Sequence, residues 1–395
     1  MAGSADDDAR RLTALAYFMM MTIGVTFSLA GVTTKQIAAT FAVDTALVGY
    51  VFTLFSVGYS AAILGNGFLL DRVDVGRETA LAAAAAGLAA LAATLLPALA
   101  AFAAAIFSYG LFLGVLCSVG YFIIVNLYDE TARAAKLNVL NFFFSAGSVA
   151  APVLAGLALQ RGASWQAVFQ ATAPLAFAAA AWAVSVRFTL RPPAPRQAGP
   201  ADDSSRWGWP VYVVGAALIC YVISEMAFTY WLVTYMMDRL AADVATAGFA
   251  LSVFWVTMGF GRLAAGPLIV RLGVGRYIGG LSLLAAGAFA ALLTADTPTA
   301  ALWLTAVMGA GYSGLYPTIL SFGTQLVPGP SPRLTTFFLS VGAGGGIAAL
   351  LLSSWLKQVA GVGAVMTFAA ALLVAMTLLV LSAGRGRRCP AGGEE

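Results

Sequence analysis

The sequence predicts an all-α integral membrane protein with twelve transmembrane helices in two six-helix parallel repeats. Three observations carry this: a membrane composition, a regular succession of apolar runs, and one short loop pattern written twice. Hydrophobic residues make up 61% of the 395 and charged residues only 10%, against about 45–50% and about 25% in ordinary soluble domains. Seventeen acidic and 21 basic side chains cannot give a chain of this size the polar shell that a soluble fold needs. Lipid must supply the remaining solvent.

A helix needs roughly 20 mostly apolar residues to cross about 30 Å of hydrocarbon. Twelve such runs can be read, centred near residues 25, 58, 89, 114, 149, 176, 224, 258, 287, 313, 345 and 372. The first extends from Leu12 to near Ile37. That exceeds the roughly 7–15-residue apolar core of a signal peptide, and no small-residue cleavage site follows, so it reads as a spanning helix. After six runs comes "RFTLRPPAPRQAGPADDSSRW", beginning at Arg187. Its Pro, Arg, Asp and Ser content reads as a flexible linker. The expected organisation is a six-helix bundle over 1–187, a cytoplasmic linker over 188–208 and a second bundle over 209–395.

Orientation follows from Lys and Arg, which concentrate on cytoplasmic flanks. With the N-terminus inside, sixteen of the 21 basic residues fall in cytoplasmic segments, among them Arg72, Arg77, Arg271 and Arg276. Lys35, Arg161, Arg239 and Lys357 fall outside or at that edge, and Arg262 lies within a span. Both ends are therefore expected in the cytoplasm of a cell that carries this protein in its inner or plasma membrane. The net charge of +4 belongs to these flanks and not to a basic, aromatic-interleaved surface of the kind nucleic acid needs.

The doubled pattern is "GFLLDRVDVGR" at Gly67 and "GPLIVRLGVGR" at Gly266, identical at six of eleven positions with an offset of 199 (266 − 67). Each copy runs from the second helix of a half into the loop before the third. A second pair, "FFFSAG" at Phe142 and "FFLSVG" at Phe337, has an offset of 195 (337 − 142). Two six-helix halves of equal orientation form a parallel repeat, the arrangement of major facilitator transporters.

The first copy resembles the loop signature of the major facilitator superfamily, Gly-x-x-x-Asp-Arg-x-Gly-Arg, at Gly67, Asp71, Arg72, Gly76 and Arg77. It departs by two extra residues before Gly76 and by Glu78, where a basic residue is common. The resemblance implies a twelve-helix fold, transport of a small-molecule substrate by a monomer, and a gate latch at Asp71, Arg72 and Arg77, with Arg271 and Arg276 as its second-half counterpart. Charge at the rim without any latch would leave the same residues. Within the superfamily, "YPTI" at Tyr316, "GGGI" at Gly344, "KLN" at Lys136, "GR" at Gly261 and "YVISE" ending at Glu225 resemble the fucose-permease-like branch. "SVGYFIIVNLYDE" at Ser118 and "PSPRL" at Pro330 are similar to TsgA-like proteins. Fucose permease has functional carboxylates in its first and fourth helices. Here the first helix is neutral from Leu12 to Thr34, and Cys117 stands near the fourth-helix position.

With no histidine in the chain, the side chain that normally titrates near neutral pH is missing and proton chemistry falls to carboxylates. Glu225 lies near the centre of its run, where a carboxylate facing lipid costs about 2.5–3.5 kcal/mol. It is expected to face a cavity, with Tyr221 and Thr229 on the same helical stripe, and to bind substrate, a proton or both; a structural hydrogen bond or ion pair is the alternative. Arg262 can pair with Glu225, bind an anion, brace the gate or snorkel to the interface. Asn138, Asn141, Ser145 and Ser148 make a polar stripe that serves either substrate contact or close helix packing. The family match favours Asn141, where fucose permease has a cavity Gln. Tyr121, Tyr312 and Tyr316 are further candidates.

Gly344, Gly345 and Gly346 lack the Lys and following helix start of a phosphate loop, so no nucleotide-driven step is indicated. No cofactor or metal site is expected: three widely spaced cysteines form neither a disulfide framework nor a zinc motif. Paired catalytic carboxylates and nucleophile motifs are missing too, which argues against an enzyme. Three functions stay open: proton-coupled uptake of a polar, sugar-like solute by alternating access, export of a toxic or metabolic compound by proton antiport, and solute sensing on a transporter fold.

Overall fold

Helix starts are written into the sequence as capping residues. In the computed structural model, which describes residues 2–70, 72–188, 207–326 and 332–385, α1 (Ala2–Phe41) ends in a turn, and Asp44 opens α2 (Thr45–Asn66) by accepting the Ala46 N–H at 2.7 Å. Asp74 opens α3 (Val75–Leu95) through the Arg77 N–H at 2.8 Å. After α4 (Leu99–Leu127), Asp129 opens α5 (Glu130–Gln160) through the Ala132 N–H at 2.9 Å. Each such cap satisfies an N–H that the first turn leaves without an intrahelical partner, worth about 1 kcal/mol. The sixth span is divided at Ala171 into α6 (Trp165–Gln170), capped by Ser164, and α7 (Thr172–Ser185).

The second half carries α8 (Trp209–Arg239), α9 (Val244–Leu272), α10 (Val274–Leu293), α11 (Pro298–Tyr312), α12 (Leu315–Thr324) and α13 (Pro332–Arg385). Among the described residues, ten helices are long and apolar enough to cross a membrane. One of these lies within α13, where Gly361 takes φ 81° and ψ 172°. No helix interior holds that conformation, so two spans meet there. The tenth apolar run is expected as one helix and is found broken. Ser313 takes φ −60° and ψ 131°, and Gly314 is left-handed at φ 68° and ψ −5°. Counted this way, the architecture is consistent with twelve crossings. The repeat is visible in the helix starts: α3 begins at Val75 and α10 at Val274, the same offset of 199 (274 − 75). The caps differ, since Gly273 at φ 76° stands where the first half has Asp74.

The chain forms two compact units, one of Met1–Gln197 with Asp243–Gly248 and the other of Ala198–Ala242 with Phe249–Glu395. In the first, α1 packs on α5 and α2 on α4. Gly24 of α1 faces the Phe144 carbonyl and Gly147 of α5 faces the Met21 carbonyl, so a Cβ at either would stand inside the neighbouring backbone. Ser148 closes the contact by donating to the Gly24 carbonyl at 3.2 Å. Gly110 and Gly114 of α4 lie in the same way against Phe55 and Tyr59. Without a hydrophobic drive between helices in lipid, close backbone approach supplies the attraction. The polarity is that of a membrane protein: Val184 and Val270 are 78% and 86% exposed. Inside the first unit, Tyr109 joins Thr26 at 2.8 Å and Thr172 at 2.9 Å in a buried hydroxyl triad.

Replacing Gly147 by Val is expected to cost about 1–3 kcal/mol by overpacking and to lower the unfolding temperature in detergent. Gly280→Ala, with open space around its Cβ position, should leave it unchanged. Equal midpoints for the two variants would contradict the packing described. At the start of α9, Asp243 accepts the Thr246 hydroxyl at 2.6 Å, the Thr246 and Ala245 N–H groups at 3.0 Å each, and the Gln160 amide at 3.2 Å. The Thr246 hydroxyl and then its N–H hold this carboxyl below the usual range. Because folding lowers its pKa, the cap contributes above the ordinary carboxylate range and is lost as pH falls through the lowered value. Amide exchange at Ala245 and Thr246, corrected for intrinsic rates, should lose protection on acidification. In Asp243→Ala it should already be fast at neutral pH, and matching protection in both proteins would refute the cap.

Candidate functional site

The break between α11 and α12 leaves backbone carbonyls without helical partners inside the second unit. An unbonded polar group there costs several kcal/mol, and two tyrosines remove that cost. Tyr221 of α8 donates to the Tyr312 carbonyl at 3.3 Å, and Tyr277 of α10 donates to the Ser313 carbonyl at 3.2 Å. Ser224 pairs with the Tyr312 hydroxyl at 2.6 Å and donates to the Ala369 carbonyl of α13 at 2.6 Å. From α9, Gly261 lies directly on the Ser313 side chain, where any larger residue would collide. Gly314 is fixed twice over, by its positive φ and by the Tyr277 hydroxyl at its Cβ position.

Around this break gather most of the residues that the sequence singles out in the second half. Tyr221 and Ser224 are fully buried, whereas Glu225 and Arg262 keep part of their surface accessible. Tyr221 and Arg262 both lie close enough to the Glu225 carboxylate to act on it electrostatically. Among the described residues, no direct ion pair joins the two. Tyr316 opens α12, its ring 5.9 Å from that of Tyr221. Its hydroxyl is admitted because position 342 is Gly, where a Cβ would stand 3.0 Å away. Thr229 bonds back to the Glu225 carbonyl at 2.9 Å, which satisfies its hydroxyl within its own helix. The result is an aromatic and hydroxylated wall that holds one carboxylate and one guanidinium.

In the first unit, Asn141 is exposed and accepts from the Tyr121 hydroxyl at 2.9 Å, while its amide donates to the Leu137 carbonyl at 2.9 Å. Ser145 is buried and donates to the Asn141 carbonyl at 3.2 Å. The structure thus pairs two sequence candidates, Asn141 and Tyr121, across α4 and α5. Cys117 is buried against Tyr59, within an aromatic group of Phe27, Phe55 and Tyr59.

Of the loop residues, Asp71 lies outside the described residues. Arg72, Arg77, Arg271 and Arg276 are exposed, and their guanidinium groups make no ion pair among the described residues. Arg77 and Asp74 border a cavity of about 740 Å³ together with Leu81, Phe122, Val184 and Phe188. Gly76 of the repeated pattern lies beneath the Phe188 ring, which would stand 2.8 Å from a Cβ there. Sequence reasoning missed Tyr277 and the break itself. The signal available was the Ser313-Gly314 dipeptide, a turn former inside an apolar run.

A family model of the Major Facilitator Superfamily matches residues 13–328. TsgA homologues from Serratia proteamaculans and Erwinia tasmaniensis are each 24% identical, the first over 96% of both chains and the second over 94% of both. Among solved structures, the peptide transporter POT superposes with a TM-score of 0.78 at 14% identity, over 95% of this chain and 94% of its own. The nucleoside transporter NupG gives 0.74 at 13%, over 96% and 99%. The superfamily transporter FucP, in an outward conformation, gives 0.62 at 17%, over 94% and 98%. These structural likenesses establish the shared fold. The chain belongs to the Major Facilitator Superfamily, and it is an integral membrane transporter rather than an enzyme.

Proposed function

We propose that this protein is a secondary active transporter that moves a small, hydroxyl-bearing polar solute by alternating access, coupled to protons. The observation that carries the reading is the placement of Glu225 beside Tyr221, Tyr316 and Arg262 at an interrupted helix. Transporter sites are commonly built where spanning helices are discontinuous, and ionisable residues within a span are functional by default. The partly exposed Tyr316 ring, backed by the buried Tyr221, offers a face for a sugar-like ring, and Glu225 offers both a hydrogen-bond partner and a proton carrier. The fucose-permease-like motifs support a sugar-like solute. Asn141 and Ser145 are assigned to the solute path of the first unit.

The interrupted tenth span supplies a hinge, since a few residues at an element's end can absorb the φ/ψ change of a rocking motion. Asp71, Arg72 and Arg77 with Arg271 and Arg276 are assigned to the cytoplasmic gate. Both termini are assigned to the cytoplasm, in keeping with the distribution of Lys and Arg, and the protein to the cell membrane as a monomer.

Reconstituted vesicles with a trapped pH dye test the coupling against hexoses, deoxyhexoses and small organic acids. Solute-dependent acidification of the lumen is expected, and alkalinisation would indicate exchange instead. Glu225→Gln should abolish the proton signal while leaving the fold intact by size-exclusion profile; full proton-coupled activity in that variant would sink the role. Tyr277→Phe removes the bond to the Ser313 carbonyl at a cost of about 1–3 kcal/mol. It should lower the unfolding temperature and change turnover several-fold, with solute affinity nearly unchanged. Wild-type stability and turnover together would show that the hinge does not depend on this bond.

A further inference from the structure

Arg262 is a cation held inside the second unit without a described counter-ion. Its Nε is buried and has no hydrogen-bond partner among the described residues. Phe260 and Leu263, at 70% and 73% exposed, mark the outer face of α9, while Met258 and Ala265, at 0% and 8%, share the stripe of Arg262 by the three-and-four spacing. Neighbours on that inner side lie on the break: Gly261 meets Ser313, and Ala265 stands 3.1 Å from a Cβ position at Gly314. The guanidinium is therefore carried by the helix that braces the interrupted span, with Glu225, Tyr221 and Tyr316 on the elements facing it.

A charge in such surroundings needs an opposite charge and filled hydrogen bonds. Glu225 acts on Arg262 through space, yet a direct pair is not made among the described residues. A planar guanidinium is matched best by a carboxylate, which it binds through two parallel N–H bonds. The remaining wall is hydroxyl and aromatic: Tyr221 and Tyr316 with rings 5.9 Å apart, and Tyr312 5.8 Å from Tyr221.

We infer that the solute is a hydroxylated monocarboxylate, an acid of the sugar-acid class, with its carboxylate on Arg262 and its hydroxyl groups on Glu225 and Tyr316. Bound in this way, the ligand neutralises the guanidinium and leaves Glu225 to carry the proton. The inference rests on the reading of this cluster as the solute site, and it narrows that reading from polar solutes in general to anions.

The test is equilibrium binding to the full-length protein in detergent at neutral pH, using galactonate and glucuronate as acidic probes and galactose and glucose as neutral ones. Wild type should bind at least one acid at least tenfold more tightly than the neutral hexose of matching configuration. Arg262→Gln should lose at least tenfold in affinity for the acid with little change for the hexose, and Arg262→Lys should recover part of the loss. Unfolding temperatures without probe, equal within a few degrees for the three proteins, show that the variants fold; if Arg262→Gln does not fold, the acid-to-hexose ratio in wild type and Arg262→Lys decides. Hexose binding equal to or tighter than acid binding would overturn the anion class and leave the transporter reading standing. Failure of all four probes to bind would overturn both.

Discussion

Inside a bilayer, every backbone carbonyl must find a partner within the protein, because no water is there to supply one. The second unit depends on how it meets that constraint at one point, the interruption at Ser313 and Gly314. An uninterrupted tenth helix would need neither Tyr221 nor Tyr277 as donors, and Gly261 would be free to carry a side chain. With the break in place, α8, α9 and α10 each contribute a residue to it: a hydroxyl, a bare backbone and a second hydroxyl. The break thus dictates the chemistry of three neighbouring helices. It also fixes where polar side chains gather, since donors that satisfy a carbonyl are the same groups that can meet a polar solute.

The two units solve the shared problem of holding helices together by partly different means. In the first, Gly24 with Gly147 and Gly110 with Gly114 bring backbones into contact, and the buried polarity is hydroxylic, as in the Tyr109, Thr26 and Thr172 triad. In the second, hydroxyls again bind helices, with Trp231 donating to Ser353 at 2.9 Å and Tyr235 to the Leu292 carbonyl at 3.0 Å. The difference is the addition of a carboxylate and a guanidinium deep in the second unit. Hydroxyl bonds of about 0.6–2 kcal/mol each serve well as glue. Charges cost more to bury than such bonds return.

Much of this was legible in the amino-acid order. Apolar runs gave the spans, since the 20-residue requirement of the bilayer leaves a long signal. The capping roles of Asp44, Asp74, Asp129 and Ser164 emerged only with the structure, where each side chain accepts an N–H two or three residues away. The repeat placed the loops that precede α3 and α10. Glu225 stood out from its cost in hydrocarbon, and Tyr221 from its spacing to Glu225. What the order could not reveal depends on contacts between distant segments. Tyr277 reaches a carbonyl 36 residues away, and nothing local distinguishes it from an interfacial tyrosine. Ser313 and Gly314 sit in a run whose composition is that of an unbroken helix, so hydropathy smoothed over the interruption. The differing caps at Asp74 and Gly273 likewise escaped a comparison based on identity, because both residues can stand before a helix, one by hydrogen bonding and the other by adopting positive φ.

The separation of Glu225 from Arg262 is the feature on which the solute-binding role proposed for both depends. A buried ion pair that serves the fold is in direct contact, since breaking such a pair leaves an uncompensated charge and costs about 3–5 kcal/mol. A ligand competing for one member of that pair would have to overcome the same cost before gaining anything. Holding the two charges near enough to interact, yet unpaired, lowers that threshold. Each partly stabilises the other through space, and each retains hydrogen-bonding capacity for a third group. The Nε of Arg262, buried and without a hydrogen-bond partner among the described residues, is such unused capacity. In the proposed role, a solute completes the pair by supplying the group that each charge lacks.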